Sequence, residues 1–225
     1  MIIFICGHKP TFDKFELHKP RLYLDNSQQY LDHRYYCELS ALHKIWKQVK
    51  NVDYIGLEHY RRFFLKEPYK KGESPKLVDE EFVSTIMKSN DIILTRAKLP
   101  CNVMTWYSKE KHNILETSEG RTRILMYQWL MYIRDNYSSE FVDYIVERML
   151  THNTYMSCNM FIAKKEVIDR YCEFLFPYIE GFFTDIMKGI PEPRIFGYLS
   201  EYIMGYWMKW KNYKIHVCDN ITVAP

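Results

Sequence analysis

The stretch Asp53-Tyr54-Ile55-Gly56-Leu57-Glu58-His59-Tyr60-Arg61-Arg62 runs from an apolar segment straight into a cluster of charged and aromatic residues. Residues 53–57 read as a buried strand, the kind found in the middle of a parallel sheet. Upstream, residues 2–6 form a second apolar, β-branched run that ends at Gly7 and Pro10. Between the two, Cys37, Leu39, Leu42, Ile45, Trp46 and Val49 recur at helical spacing, which predicts an amphipathic helix over about 35–49. Strand, loop, helix, strand in that order implies parallel pairing through a crossover.

The alternation continues downstream. Asp79-Glu80-Glu81 opens a short helix to Lys88, its acids well placed against the helix dipole. Residues 91–94 read as a third strand and 156–163 as a fourth. Helices are predicted over 121–136 and 139–150, and a long one starts at Lys165 with Val167, Ile168, Tyr171, Leu175, Tyr178 and Ile179 on one face. Gly189-Ile190-Pro191-Glu192-Pro193 breaks the chain before a last helix over 194–209, and residues 213–217 close it as a strand. Residues 11–33, 65–78 and 100–120 read as irregular, the last with a short helix near 107–113. The pattern predicts a three-layer, Rossmann-like α/β domain, with a mostly parallel sheet flanked by helices and a helical annex in the second half.

Composition narrows the function. The 225 residues fit one domain, long enough to bury a core without disulfides or metals as staples. The net charge is only +3, and acids alternate with bases, so no nucleic-acid-binding face is expected. The basic run at residues 66–76 reads as a solvated loop; peripheral contact with an anionic membrane surface is its second reading. Six cysteines without a CxxC pair exclude a zinc ribbon or a thioredoxin-type motif. The first residues do not form a signal peptide, and no apolar stretch reaches the roughly 18 to 20 residues that span a bilayer. A reduced, cytoplasmic setting is expected. Nineteen tyrosines suit rings that pack on sugars or bases, and equally a tyrosine-rich core.

Open α/β sheets bind ligands at the carboxyl ends of their strands. Three segments are therefore candidates: Gly7-His8-Lys9, Glu58-His59-Tyr60-Arg61-Arg62 and Thr95-Arg96. Arg61 and Arg62 beside His59 and Tyr60 suit bidentate, charge-assisted bonds to a diphosphate. The alternative is that the arginines pair with surface carboxylates and His59 is a satisfied core histidine. Gly56 fits a place where something approaches the backbone closely. Asn159 interrupts an apolar strand and must find partners if buried.

The helix Tyr36-Cys37-Glu38-Leu39-Ser40-Ala41-Leu42-His43-Lys44-Ile45-Trp46-Lys47 and the strand-turn that follows resemble the DUF4422 family of capsular and exopolysaccharide biosynthesis glycosyltransferases. Asn159-Met160-Phe161-Ile162 and Arg194-Ile195-Phe196-Gly197-Tyr198-Leu199-Ser200-Glu201 resemble two later elements of that family, in the same order. The resemblance implies a GT-A-like fold and transfer of a sugar from a nucleotide donor, most readily a UDP-sugar, to a saccharide or lipid-linked acceptor. It makes residues 1–225 a single glycosyltransferase-like domain, with a nucleotide-binding half (1–99) and a helical and acceptor half (100–225). The loop Leu24-Asp25-Asn26-Ser27-Gln28 is shorter than its counterpart in the family. That favours the alternative of a non-catalytic nucleotide-sugar or polysaccharide-assembly binding module.

Sugar transfer needs the leaving diphosphate stabilised, the donor oriented and an acceptor hydroxyl deprotonated. No Asp-x-Asp triplet follows a strand, so His59, Arg61 and Arg62 are expected to supply the positive charge without a metal or other cofactor. The alternative is Mn²⁺ or Mg²⁺ held by Glu58 and His59. Glu201 is the expected base of an inverting reaction, on one helix face with Arg194 and Gly197. A purely structural Arg194/Glu201 pair is the competing reading, and Asp185 and Glu192 are reserves. Gly7, His8 and Lys9 are expected against the nucleoside, Tyr60 with the donor, and Asn159 on a donor hydroxyl or a neighbouring loop. Tyr206, Trp207 and Trp210 read as core rather than as an acceptor platform.

Overall fold

The strand predicted over residues 53–57 lies in the middle of the sheet. In a computed structural model, which describes residues 1–7, 21–25, 33–105, 121–187 and 194–223, it forms β3 (Tyr54–His59). The strand β1 (Ile2–Gly7) pairs parallel with it, Ile3 opposite Gly56. On the other side of β1 lies a parallel edge strand, β2 (Arg21–Asp25), within the region expected to be irregular. β4 (Arg62–Phe64) turns back from β3 and pairs with β8 (Asn220–Thr222); neither is visible as a pattern in the sequence. β5 (Ile92–Lys98), β6 (Thr154–Lys164) and β7 (Ile215–Cys218) complete the order β2-β1-β3-β6-β5-β7. Along this path only β6 runs antiparallel to its neighbours, so the sheet is mostly parallel, as expected.

Helices cover both faces, giving three layers. One face of the sheet packs Ile3, Ile93, Met160 and Ile162 against Val83 and Met87, within and just beyond α3 (Glu80–Ile86). Asp79 caps that helix, accepting from the Phe82 N–H at 3.0 Å. The other face packs Leu57, Leu94 and Phe161 against a larger helical layer. That layer holds α2 (Leu39–Gln48), α4 (Arg121–Asn136), α5 (Ser139–Thr151), α6 (Lys165–Asp185) and α7 (Ile195–Trp210). The annex expected in the second half is the α4–α7 part of this layer. Trp207 and Tyr206 are buried in it, as core, and Trp46 stacks on Phe176 with ring centroids 5.5 Å apart. Each large apolar side chain buried there contributes about 1.5–3 kcal/mol.

Two local departures from regular structure shape the rest of the molecule. The helix expected over 35–49 is two pieces, α1 (His33–Tyr36) and α2, broken where Cys37 takes φ 49°. A left-handed residue ends one helix and re-aims the next, although the apolar spacing runs on unbroken. The second departure is in β6. Leu94 pairs with Phe161, but Arg96 pairs with Met156, so two steps along β5 face five along β6. Three surplus residues bulge from the ladder there, and Cys158 (φ 73°) and Asn159 (φ 49°) are both left-handed. Gly56 is also explained: a Cβ there would lie 3.1 Å from both Ile3 and Ile162, so what approaches it closely is the neighbouring strands.

Candidate active site

β1, β3 and β5 all end on the same edge of the sheet, where the β6 bulge and the start of α7 meet them. Among the described residues six non-glycine residues have positive φ. Asn51 and Asn212 carry a side chain that tolerates this conformation; Cys37, Cys158 and Arg194 do not. These three and Asn159 lie at this edge. Left-handed backbone at such residues costs of order 1–3 kcal/mol each, and it gathers where function demands a particular geometry.

Asn159 is the hub. It is 2% exposed, so its amide must be satisfied by protein. Nδ2 donates to Glu38 Oε1 at 2.7 Å and to the Gly197 carbonyl at 2.8 Å, and Oδ1 accepts from Ser200 Oγ at 3.1 Å. One side chain thereby ties the α1–α2 break to the first turn of α7. Gly197 permits the approach, because a Cβ there would sit 3.1 Å from Cys37 Cβ. Next to the hub, the Cys158 N–H leaves the ladder and donates to Glu201 Oε1 at 2.8 Å. The bulge thus presents a main-chain donor to a half-buried carboxylate.

The cations face these carboxylates. Arg62 Nη1 lies 3.5 Å from His59 Nδ1. His59 Nε2 is buried with no hydrogen-bond partner among the described residues. Burial holds the His59 imidazolium below its ordinary pKa; Arg62 and Arg194 add to this, while Glu38 and the Cys158 main chain oppose it. The ring is therefore neutral near pH 7. Arg194 donates from Nε to Cys37 Sγ at 3.4 Å and lies 5.3 Å from the Tyr198 ring centre. Among the described residues Arg61, Arg62 and Arg194 have no carboxylate within ion-pairing distance, so Arg194 and Glu201 are not a structural pair. The Cys158 thiol is pushed up, first by burial and then by Glu201, and is no candidate nucleophile.

Glu58 belongs elsewhere. Alternation along β3 sends it to the opposite face from His59, where it is fully buried. Arg21 grips it with Nε and Nη2 at 2.7 and 3.1 Å, and the Phe64 N–H donates to Oε1 at 2.9 Å. Arg21 itself is 4% exposed and also donates to the Val78 carbonyl. Glu58 and His59 are thus not arranged to share a metal. Among the described residues no group of three or more His, Cys, Asp or Glu side chains is placed to hold one.

A family model described as a domain of unknown function, DUF4422, matches residues 21–212. The chain belongs to the DUF4422 family. No curated protein matches it. Among solved structures, the apo structure of WbbM, a bifunctional glycosyltransferase, matches with a TM-score of 0.77 at 19% identity. That match covers 100% of this chain and 45% of the WbbM chain, so the DUF4422 chain spans less than half of that protein's length. The likeness is one of fold, a mixed α/β architecture of glycosyltransferase type.

Six of the residues singled out in the sequence meet in the DUF4422 chain: His59, Arg62, Asn159, Arg194, Gly197 and Glu201. Gly7, Tyr60 and Arg61 form an adjoining group. The Gly7 carbonyl accepts from Tyr23 Oη at 2.7 Å, a Cβ on Gly7 would fall 2.7 Å from Tyr60 Cβ, and Arg61 lies over the Tyr60 ring. His8, Lys9 and Glu192 lie outside the described residues. Asp185 is exposed at the far end of α6, bonded by Tyr132, and takes no part. Sequence reasoning missed Cys37, Cys158, Ser200 and the role of Glu38. The signal for Glu38 was available: a carboxylate set among the apolar positions Cys37, Leu39 and Leu42.

Proposed function

We propose that this DUF4422 chain is an inverting, metal-independent glycosyltransferase that moves a sugar from a nucleoside-diphosphate donor, a UDP-sugar, to a saccharide or lipid-linked acceptor. The observation that carries the proposal is the Cys158–Glu201 hydrogen bond, set in strained backbone at the carboxyl edge of parallel strands and faced by arginines that form no ion pair among the described residues. A base and fixed positive charge are thereby brought to one place.

In the proposed reaction the acceptor oxygen attacks the anomeric carbon and loses its proton to Glu201. The bond from that carbon to the β-phosphate oxygen breaks, and its electron pair leaves with the diphosphate. Arg62 and Arg194 stabilise the charge that develops there, and His59, being neutral, acts as a hydrogen-bond donor rather than a cation. Asn159 positions Glu38 and α7 and has no amide hydrogen left for the donor. Arg21's grip on Glu58 argues against a metal shared with His59. Gly7, Tyr60 and Arg61 would flank the nucleoside, with His8 and Lys9 following them in sequence. Surface polysaccharide synthesis at the inner face of the membrane is the proposed setting. There the exposed residues 66–76 would rest on anionic lipid, since no helix among the described residues is long and apolar enough to cross a membrane.

The test is hydrolysis and transfer from a panel of UDP- and GDP-sugars in EDTA. Turnover of one donor is expected, and Glu201→Gln should lower kcat about 10²- to 10⁴-fold with the donor KM little changed. Activity lost in EDTA and restored by Mn²⁺ would refute the metal-free mechanism. Tight binding without turnover would make the chain a binding module instead.

A further inference from the structure

Among the described residues Glu38 is a carboxylate without a counter-ion. Among the described residues it has one hydrogen-bond partner, Asn159 Nδ2, and no cation within 4 Å. It is only half-buried. Yet it stands at the middle of the edge just described. Its charge is felt at Cys6 on β1, His59 on β3, Cys158 in the bulge, and Arg194 and Tyr198 on α7. Glu201 acts on two of those same groups, Cys158 and Tyr198. Two carboxylates therefore flank the bulge, each with one oxygen held by a donor from it: Glu38 by the Asn159 amide, Glu201 by the Cys158 N–H.

The holding is costly in backbone conformation. Cys37 takes φ 49° immediately before Glu38, and Asn159 takes φ 49° to reach it. A solvated helix-end glutamate would need neither. An ionised carboxylate accepts about four hydrogen bonds and donates none. With one position filled, Glu38 keeps several lone pairs for incoming donors. His59 is neutral and the Cys6 and Cys158 thiols are held protonated by burial, so none of these three described groups balances it near pH 7. A ligand that offers neutral O–H donors matches this; a second anion does not.

We infer that Glu38 is a sugar-reading residue of the site, accepting hydrogen bonds from hydroxyls of the transferred sugar while Glu201 takes the acceptor's proton. The inference rests on the glycosyltransferase reading and extends it by dividing the two carboxylates between specificity and catalysis. Diphosphate recognition belongs to the arginines, so loss of Glu38 weakens the sugar's contribution alone.

The experiment is calorimetric titration of the wild-type chain and Glu38→Gln with UDP, UDP-galactose and UDP-glucose, together with single-deoxy analogues of both sugars. The amide of Glu38→Gln still offers an oxygen to Asn159 Nδ2, so the melting temperature should stay near that of the wild type. Binding of UDP should be unchanged, and binding of the preferred UDP-sugar should weaken roughly tenfold to a hundredfold, as expected for lost hydrogen bonds to a charged group. At least one deoxy analogue should bind the wild type correspondingly less well, and Glu38→Gln should erase that difference. Equal weakening of UDP and UDP-sugar, or no weakening of either, overturns the assignment. So does a wild type indifferent to every deoxy analogue, an outcome that does not depend on the variant folding. A wild type that binds neither UDP nor either UDP-sugar would instead overturn the donor reading, and this assignment with it.

Discussion

Replacing Asn159 tests the clamp that joins the α1–α2 break to α7. Asn159→Ala removes one hydrogen bond to a carboxylate, about 1.5–3 kcal/mol, and one to the Gly197 carbonyl, about 0.5–1.5 kcal/mol. The carbonyl keeps Ser200 Oγ as a donor at 3.0 Å, so the lower part of the second range applies. Alanine also tolerates φ 49° less well than asparagine, by up to about 1 kcal/mol. The sum is about 2–5 kcal/mol, which for a chain of this length lowers Tm by roughly 10 °C. Urea unfolding followed by tryptophan fluorescence measures it. Asn159→Asp separates the hydrogen bonds from side-chain volume. It sets a second carboxylate against Glu38 Oε1, so the new acid's folded pKa rises above its unfolded value of about 3.9. The folded state then binds the extra proton. Stability is retained below about pH 4 and is lost as pH rises through the raised folded value, so the deficit relative to wild type should widen toward pH 7. An alanine variant within 1 kcal/mol of wild type, or an aspartate variant with the wild-type pH dependence, would refute the clamp.

Three further outcomes are expected. Glu58→Gln leaves the Arg21 guanidinium buried without its counter-charge and should cost about 3–5 kcal/mol, whereas the double variant Arg21→Met/Glu58→Leu should cost less; equal losses in urea unfolding would show the pair is not coupled. His59 has a folded pKa below its unfolded value of about 6.5, so its contribution is fully present above pH 6.5 and is lost as pH falls toward the folded value. His59→Gln should flatten the stability slope below pH 6.5 without abolishing it, because the His43 imidazole is also held down, by burial and then by Lys47. Gly7→Ala drives a Cβ into Tyr60, whose N–H is fixed to the Cys6 carbonyl at 3.0 Å, and should cost about 1–3 kcal/mol and weaken UDP binding; unchanged Tm and affinity would count against the Gly7–Tyr60–Arg61 grouping.

The strands and helices that carry long apolar runs were legible because burial on two faces, or on one stripe, leaves a period in the sequence. The position of His59 at the end of β3, with Arg62 just beyond it, followed from that alone. What was hidden depends on contacts between distant residues. Arg21 and Glu58 are 37 positions apart, and nothing near either announces the other. β4 and β8 are three residues each, too short to show a period, and exist because they pair with one another. The break at Cys37 lies inside an uninterrupted helical spacing, and the surplus residues of β6 read as ordinary strand. Asn159 was the one visible irregularity there. Its need for partners was legible; that they would be Glu38, Gly197 and Ser200 required the fold.

The bulge has a consequence for how the protein can be watched. A strand amide ordinarily reports on the sheet around it, and changes little unless the sheet opens. The Cys158 amide instead points at a helix-borne carboxylate. Its proton resonance will follow the charge on Glu201, shifting upfield when that oxygen gains a proton and moving again when a ligand draws the carboxylate away. With the six cysteines ¹⁵N-labelled, the Cys158 amide is therefore a built-in indicator electrode for the proposed base, readable in solution with the sequence left intact.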